Sequence, residues 1–544
     1  MLCATRPLGI ILLAATLPAG AAAQTPVTRA EATDYMETSR YADVLAFLAA
    51  LAPSPVLHRT TFGYSQLGRP LPLVAAGRGI ASAQPGEVRA AGGTRVLILG
   101  NIHGGEVEGK EAAQMLLRSM AAGHHAPWLD SLVILVVPIY NADGNDAVSV
   151  LNRSRQHGPF GGVGERENAQ GLDLNRDHMK LESAEARSLV RLLREYDPHV
   201  VVDLHTTNGT RHAYHLTYAP PLHPGTDPGI QRLARSEWLP ALTRALREGT
   251  GWHSWHYGNA SAPEGGVMGW HTFDHRPRFN NNYVGLRNRI ALLSEAYSYA
   301  PFQDRVAVTL AFVEAVLDLA RARGAAARAA TAAADAALEP DDQLPLRARI
   351  AAGGDADILM GAVEERLNPF SGRRYLARLP VVERTRMKDF TRFEGVESER
   401  VPSAYYVPGS LHPVLDRLAL HGIRTRALTA PRTARVERFA LDSTRAAARE
   451  FQDHREREAF GSWSAVEATL PAGTMVVPTT QPLGRLVFYL LEPRSDDGLL
   501  NWNVLDAAID ADPSAYPILR APAGTPPLAA PPAGTGGFSG PVGG

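Results

Sequence analysis

The chain has 544 residues, of which 45% are hydrophobic and 20% are charged. This composition is that of an ordinary soluble globular protein, and the length is enough for two or more domains. The 55 Lys and Arg residues balance 56 Asp and Glu residues. The charge balance therefore gives no reason to expect a nucleic acid or an anionic membrane surface as partner.

The first 23 residues have the pattern of a secretory signal peptide. A short basic start precedes the apolar run 8–17, and three alanines at 21–23 end the segment. Cleavage near Ala23 would also remove Cys3, the single cysteine of the chain. A buried N-terminal helix is the alternative interpretation. We expect a periplasmic or secreted protein, and no other window reaches the roughly 20 apolar residues that a membrane span needs.

From residue 95 to about residue 324, strand-like apolar segments alternate with segments of helical periodicity. Strands are predicted at 95–100, 132–139, 199–204 and 289–294. Helices are predicted at 107–121, 182–196, 229–247 and 304–323. The alternation predicts an α/β fold with a mixed, mostly parallel central sheet flanked by helices. Ligands of such sheets bind at the carboxyl ends of the strands.

Composition divides the chain into further segments. A catalytic domain is predicted over 28–325, followed by an alanine-rich and then acidic linker at 326–344. A smaller β-leaning C-terminal domain without an obvious catalytic set is predicted over 345–519. The Pro/Gly-rich end, 520–544, is predicted to be a disordered tail.

Chemistry-bearing side chains follow three of the apolar strands. His103 and Glu106 stand three residues apart after the first, and the two glycines between them permit a close backbone approach and positive φ. His205 ends a second strand and Glu295 a third. A catalytic zinc takes three protein ligands and keeps a fourth position open, and His103, Glu106 and His205 supply three. Glu295 is predicted to be the general base, with a pKa raised by partial burial.

A second group of residues is suited to binding a carboxylate. Asn175 and Arg176, in the run 171–177, offer an amide and a planar guanidinium for a two-point contact. Arg166 lies upstream and is a candidate for stabilising the oxyanion that forms when water attacks an amide carbonyl. A solvated side chain is the alternative interpretation of Arg166.

As an ordered set, these motifs resemble the carboxypeptidase A family of zinc metallocarboxypeptidases. The blocks that carry the resemblance are 103–106, 140–144, 171–176, 203–205 and 294–295, and the run 166–176 is especially similar to bacterial murein-peptide-cleaving members. The resemblance covers about residues 30–325.

The resemblance implies a role for each residue. One Zn²⁺ ion would be held by His103, Glu106 and His205, with Glu295 as general base and acid. Asn175 and Arg176 would hold the free terminal carboxylate of a peptide substrate, and Arg166 would assist the oxyanion. The family also uses a mobile tyrosine that closes over the bound C-terminus. Tyr283 is the first choice for this role and Tyr257 the second.

The sequence thus predicts a secreted zinc carboxypeptidase that hydrolyses a C-terminal peptide or isopeptide bond. Two alternatives stay open. One is a zinc amidase or deacylase acting on N-acyl amino acids or cell-wall peptides. The other is an inactive binding protein whose C-terminal domain carries the function, although the intact ligand set together with Glu295 counts against it.

Overall fold

The computed structural model of the protein describes residues 25–207, 209–262 and 266–528. The predicted signal peptide, 1–23, lies outside the described residues, as does the segment 529–544 of the predicted tail. Among the described residues, no helix combines the length and the apolar character that a bilayer crossing requires.

The first part of the chain alternates strands and helices. Its strands are β1 Leu57–Tyr64, β2 Pro70–Ala76, β3 Thr94–Gly100, β4 Leu132–Val137, β5 Val200–Thr206, β6 Leu216–Ala219, β7 Ser254–His256, β8 Asn259–Ser261, β9 Gly269–His271 and β10 Ile290–Ala296. Its helices are α1 Arg29–Ala32, α2 Tyr41–Ala50, α3 Pro85–Ala90, α4 Glu108–Ala121, α5 Ala126–Leu129, α6 Ala142–Asp146, α7 Ala184–Tyr196, α8 Pro228–Gln231, α9 Leu239–Thr250, α10 Asn280–Leu286 and α11 Phe302–Ala336. A π-helical turn, Arg232–Trp238, lies between α8 and α9, where the sequence predicts one helix.

A mixed central sheet has the strand order β1-β2-β4-β3-β5-β10-β6-β7. Its middle strands, β4, β3, β5 and β10, run parallel, and antiparallel strands join at both sides. All seven residues of β3 and of β5 are buried, as expected for Val-, Ile- and Leu-rich strands covered on both faces by helices. The predicted α/β class and mixed, mostly parallel sheet are confirmed.

The helix α11 continues past the predicted end of the catalytic domain. The sequence places a linker at 326–344, whereas the helix runs to Ala336 and the next strand begins at Gln343. The alanine-rich segment has a high helix propensity, which explains the continuation. A bend at Arg323 precedes Gly324, where a Cβ would lie 2.2 Å from Thr94 Oγ1, so only glycine lets the helix approach β3 this closely. The predicted boundary at 325 is therefore wrong.

The C-terminal region is rich in β-structure, as predicted. Its strands are β11 Gln343–Ala351, β12 Asp355–Met360, β13 Val363–Leu367, β14 Arg374–Arg378, β15 Glu383–Phe390, β16 Arg392–Arg400, β17 Ala404–Val407, β18 Arg426–Ala427, β19 Arg432–Ala446, β20 Arg457–Leu470, β21 Met475–Pro478 and β22 Leu519–Arg520. Its helices are α12 His412–His421, α13 Gly484–Leu491 and α14 Asp506–Ala511.

This region is joined to the α/β part by shared structure. Strand β15 pairs in parallel with β9, and one apolar cluster contains Leu193 and Val316 together with Tyr405 and Leu486. The predicted tail also begins too early, because Arg520 lies in β22 and is buried. The C-terminal elements therefore pack onto the catalytic part over a common core.

Candidate active site

The site lies at the carboxyl ends of the parallel strands. His205 and Glu295 are register partners on β5 and β10. The segment 101–107 leaves β3 and leads into α4, and the Asn101 side chain donates to the carbonyl oxygens of His103 and Glu106, both at 3.1 Å. A Cβ on Gly104 would lie 2.3 Å from backbone atoms of two neighbouring segments, so this glycine serves close packing. The positive φ, 64°, falls at Asn101 rather than at a glycine, contrary to the sequence-based expectation.

His103, Glu106 and His205 converge and are buried. The Nδ1 atoms of the two histidines are 3.3 Å apart, and they lie 3.1 Å and 3.0 Å from the carboxylate oxygens of Glu106. Ligand atoms around a tetrahedral zinc, with bonds of about 2.0–2.1 Å, stand about 3.3 Å from each other. The residues present therefore fit one zinc ion, with both imidazoles offering the same nitrogen.

Each histidine has a carboxylate close to its other ring nitrogen. His103 Nε2 lies 3.2 Å from Asp173 Oδ1, and His205 Nε2 lies 3.1 Å from Asp203 Oδ2. The Asn280 side chain in turn donates to Asp203 at 2.9 Å. Carboxylates in this position fix the tautomer of a metal-binding histidine and its ring orientation.

Two arginines face the carboxylate of Glu106. Arg153 Nη1 donates to Glu106 Oε1 at 3.0 Å, and Arg166 Nη1 lies 3.5 Å from the same oxygen. Burial opposes ionisation of Glu106, but the charges of His103 and Arg153 outweigh it and hold its pKa well below the usual range. Glu106 is therefore ionised and available to a cation.

Glu295 lines the same cavity, which has a volume of about 380 Å³. Within the part of the chain that the structure describes, its Oε2 atom has no hydrogen-bond partner. Burial raises the pKa of Glu295 to about 8; the charge of His205 opposes this shift and that of Glu106 adds to it. A carboxyl group with such a pKa can both accept and donate a proton near neutrality.

Asn175 and Arg176 line another wall of this cavity, in the short 3₁₀ turn Leu174–Arg176. Arg176 Nη1 donates to the Asn175 carbonyl at 2.8 Å, and its guanidinium stacks 3.7 Å above the Phe279 ring. Burial lowers the pKa of Arg176 to about 10, so the guanidinium stays charged at neutral pH. Asp173 is 3.8 Å away and gives the cation only a distant partner.

Arg166 also lines the cavity and binds Asp173 with Nε at 2.9 Å. Burial opposes its charge, but Asp173 and Glu106 outweigh that effect and raise the pKa of Arg166. An ion-paired cation with 37% of its side chain exposed therefore stands beside the predicted metal ligands.

Residues 44–236 match the family model described as zinc carboxypeptidase. This range contains the three predicted metal ligands, whereas Glu295 lies beyond it. Over this segment the chain is similar to the zinc carboxypeptidase family. The predicted resemblance to this family, the class of metallocarboxypeptidase hydrolase and zinc as the cofactor are therefore confirmed.

The chain is also similar to named carboxypeptidases. Carboxypeptidase 2 of Trichophyton tonsurans is 22% identical over 462 residues, covering 78% of this chain and 76% of that protein. Probable carboxypeptidase 2 of Trichophyton verrucosum (strain HKI 0517) is 33% identical over 113 residues, covering 20% and 19%. A solved metallo-carboxypeptidase from Burkholderia cenocepacia matches at 16% identity with a TM-score of 0.39, covering 52% of this chain and 69% of that one.

Tyr283, the first choice for the mobile tyrosine, lies outside the cavity. Tyr283 lies in α10, is fully buried, and its hydroxyl donates to His421 Nδ1 at 2.8 Å while Arg287 donates to it at 3.2 Å. It belongs to the core and does not line the cavity. Tyr257, the second choice, does line the cavity.

The sequence-based analysis missed Gln452 of the C-terminal region. Its side-chain oxygen accepts a hydrogen bond from the Asp173 backbone amide at 2.8 Å. Gln452 and Asp453 have φ of 51° and 62° and form a two-residue turn at the tip of the β19–β20 hairpin. No motif marks this residue, and its position near the site follows only from tertiary packing.

Proposed function

We propose that this zinc carboxypeptidase removes the C-terminal residue from peptides that carry a free terminal carboxylate. The observation that carries the proposal is that one cavity unites the His103–Glu106–His205 group, the buried carboxyl of Glu295 and the cation of Arg176.

The metal would be held by His103, Glu106 and His205, each through the atoms that already face one another. Zinc, when bound, supplies Lewis-acid polarisation of a carbonyl and activates water at neutral pH. The carboxylates of Asp173 and Asp203 keep both imidazole rings in the binding orientation.

Glu295 is proposed as the proton carrier. Its unpartnered Oε2 faces no competing donor among the described residues, so it is free to take a proton from the attacking water. The same group then returns the proton to the nitrogen of the departing residue. A pKa raised toward neutrality suits both halves of this transfer.

Arg176 and Asn175 are proposed to hold the terminal carboxylate. Stacking on Phe279 fixes the guanidinium plane, which reduces the freedom lost on binding a planar carboxylate. Arg166, anchored by Asp173, is proposed to stabilise the negative charge that develops on the carbonyl oxygen. Tyr257 is the remaining candidate for the residue that closes over the substrate.

Export is proposed from the sequence of residues 1–23, with cleavage near Ala23 and a periplasmic or secreted mature protein. N-terminal sequencing of the protein recovered from the periplasm or the medium would test this. A mature chain that still begins with Met1 would contradict it.

The function itself is tested with a pair of N-blocked peptides that differ only in a free or amidated C-terminus. We expect the zinc-loaded protein to release one residue from the free acid, as read by mass spectrometry, and a chelator to stop the release. Cleavage within the chain or equal rates on both peptides would contradict the proposal. Hydrolysis of N-acyl amino acids without peptide cleavage would instead favour the deacylase alternative.

A further inference from the structure

A second cleft adjoins the catalytic cavity. It has a volume of about 560 Å³, within the range of small-molecule and peptide side-chain sites. Its walls come from the segment 151–156, from Gly209 and Arg211 after β5, and from residues near Ser298 and Leu376. The function proposed above gives this cleft no role.

Arg153 separates the cleft from the catalytic cavity. It lines the cleft, while its guanidinium donates to Glu106 at 3.0 Å and to the carbonyl oxygens of Thr206 and Thr207 at 3.0 Å and 2.8 Å. Its Nε donates to Gln156 at 2.8 Å. Because these partners occupy its donors, Arg153 is held in place at the boundary of the two spaces and is not a free cation.

The cleft and Arg176 adjoin the metal group through different ligands, the cleft through Glu106 and Arg176 through Asp173 beside His103. Contacts run from Arg176 through Asp173 to His103, then to Glu106, and from there to Arg153. A peptide with its terminal carboxylate on Arg176 and its scissile carbonyl at the metal group must continue away from Arg176. The upstream residues of the substrate would therefore reach the cleft.

The cleft is positively charged. Arg155 and Arg211 line it and are exposed, and none of its described lining residues is acidic. Over residues 25–207, 209–262 and 266–528, neither of these two guanidinium groups forms an ion pair. The charge of Arg153 is already matched by Glu106. Two uncompensated cations thus face a concave space next to the scissile position.

We propose that this cleft binds the side-chain carboxylate of an acidic residue upstream of the scissile bond, through Arg155 and Arg211. The inference rests on the proposed carboxypeptidase function and adds a substrate preference to it. An arginine fork matches the geometry of a carboxylate, and the neutral amide of the same shape lacks the charge.

The test compares kcat/KM for N-blocked peptides with Glu or Gln at the second, third or fourth position from a free C-terminus. We expect the zinc-loaded protein to prefer Glu at one of these positions by about fivefold, the size expected of two solvent-accessible ion pairs. The preference should weaken as salt is raised. In R155Q/R211Q it should disappear, with unchanged rates on the Gln peptides.

R349Q/R386Q is the matched control, because it removes the same charge from two exposed arginines on C-terminal strands. It should keep the preference for Glu. Equal rates on Glu and Gln peptides at all three positions, or a preference that survives in R155Q/R211Q, would overturn the inference while the Gln peptides still report carboxypeptidase activity. Failure to cleave any of these peptides would reject the proposed function, and with it the cleft as a substrate site.

Discussion

The side chain of Gln452 binds the backbone amide of Asp173 at 2.8 Å, although the two residues are 279 positions apart in the chain. Asp173 contacts His103 and Arg166, so a residue of the C-terminal region supports the turn that orients a predicted metal ligand. The same hairpin tip provides His454, which binds Glu182 at 2.9 Å. The C-terminal region therefore forms part of the framework of the active site.

Replacing Gln452 with alanine is expected to lower kcat/KM by about three- to tenfold. The change leaves one amide without its partner and loosens the carboxylate behind His103, and such losses amount to about 1 kcal/mol. Kinetics and metal analysis on the same samples check this, with zinc content expected to stay near one per chain. Gln343, which is exposed, supplies the control Gln343→Ala. Identical kinetics in both variants would show that Gln452 does not position the site.

The His454–Glu182 pair is expected to make stability depend on pH. The hydrogen bond to Glu182 raises the pKa of His454, so its stabilising contribution is complete below the unfolded value of about 6.5 and is lost as pH rises through the folded pKa. Burial opposes ionisation of Glu182, but His454 and Lys180 together lower its pKa to about 2, so that contribution fades only as pH falls below about 4.5.

Denaturant unfolding of the wild type and His454→Ala at pH 6 and pH 9 measures this effect. The difference in unfolding free energy should be about 1 kcal/mol at pH 6 and clearly smaller at pH 9. His412 is exposed, and His412→Ala should show no such pH-dependent difference. A His454→Ala deficit that grows with pH would contradict the assignment.

Replacing Glu295 with glutamine should abolish turnover and leave zinc bound. Glutamine keeps the shape but cannot accept the proton of the attacking water, and proton transfer of this kind contributes about 10²- to 10⁴-fold in rate. Steady-state kinetics and metal analysis on the same sample separate the two effects. The exposed Glu364, changed to glutamine, serves as control. Turnover within a few fold of wild type in Glu295→Gln would remove this residue as the proton carrier.

Replacing His205 with alanine should weaken zinc binding by more than about 100-fold. Changes to residues behind the ligands already cost about 10- to 100-fold, and losing a ligand itself should cost more. Competition with a calibrated chelator gives the affinity. His412→Ala should bind zinc as tightly as the wild type. Full zinc retention in His205→Ala would contradict the ligand assignment.

Replacing Arg176 with alanine should reduce hydrolysis of peptides with a free C-terminus by about 100-fold, as expected for the loss of a charge-assisted, two-point contact. Residual activity on amidated peptides should change far less. Arg176→Lys should recover part of the loss, because it restores the charge without the fork. Equal losses on free and amidated peptides would argue against carboxylate recognition.

The site residues at the strand ends were predictable because each polar side chain directly follows an apolar run. His205 and Glu295 each follow an apolar run that only a buried strand accommodates, and parallel neighbours place such ends together. The three-residue spacing of His103 and Glu106 further predicts that a single loop supplies two of the metal ligands. These residues required only local pattern and the rules of parallel sheets.

Tyr283 and Gln452 show where this reasoning stops. The resemblance makes Tyr283 the first choice for the mobile tyrosine, yet helix α10 places its ring in the core against His421. Gln452 reaches the site because the tip of the β19–β20 hairpin contacts the turn at Asp173, and nothing in its neighbouring residues encodes that contact. The positions of both side chains depend on how elements distant in the sequence pack together, and hydrophobic periodicity does not predict that packing.

One apolar cluster joins the two parts of the chain and contains Val316 from α11 and Leu486 from α13. This shared core couples the stability of the two parts. Unfolding of either part should unfold the other, so thermal unfolding should show a single cooperative transition. The catalytic part expressed without the C-terminal region should therefore be less stable. It would also lose the contacts by which the C-terminal region supports the active site.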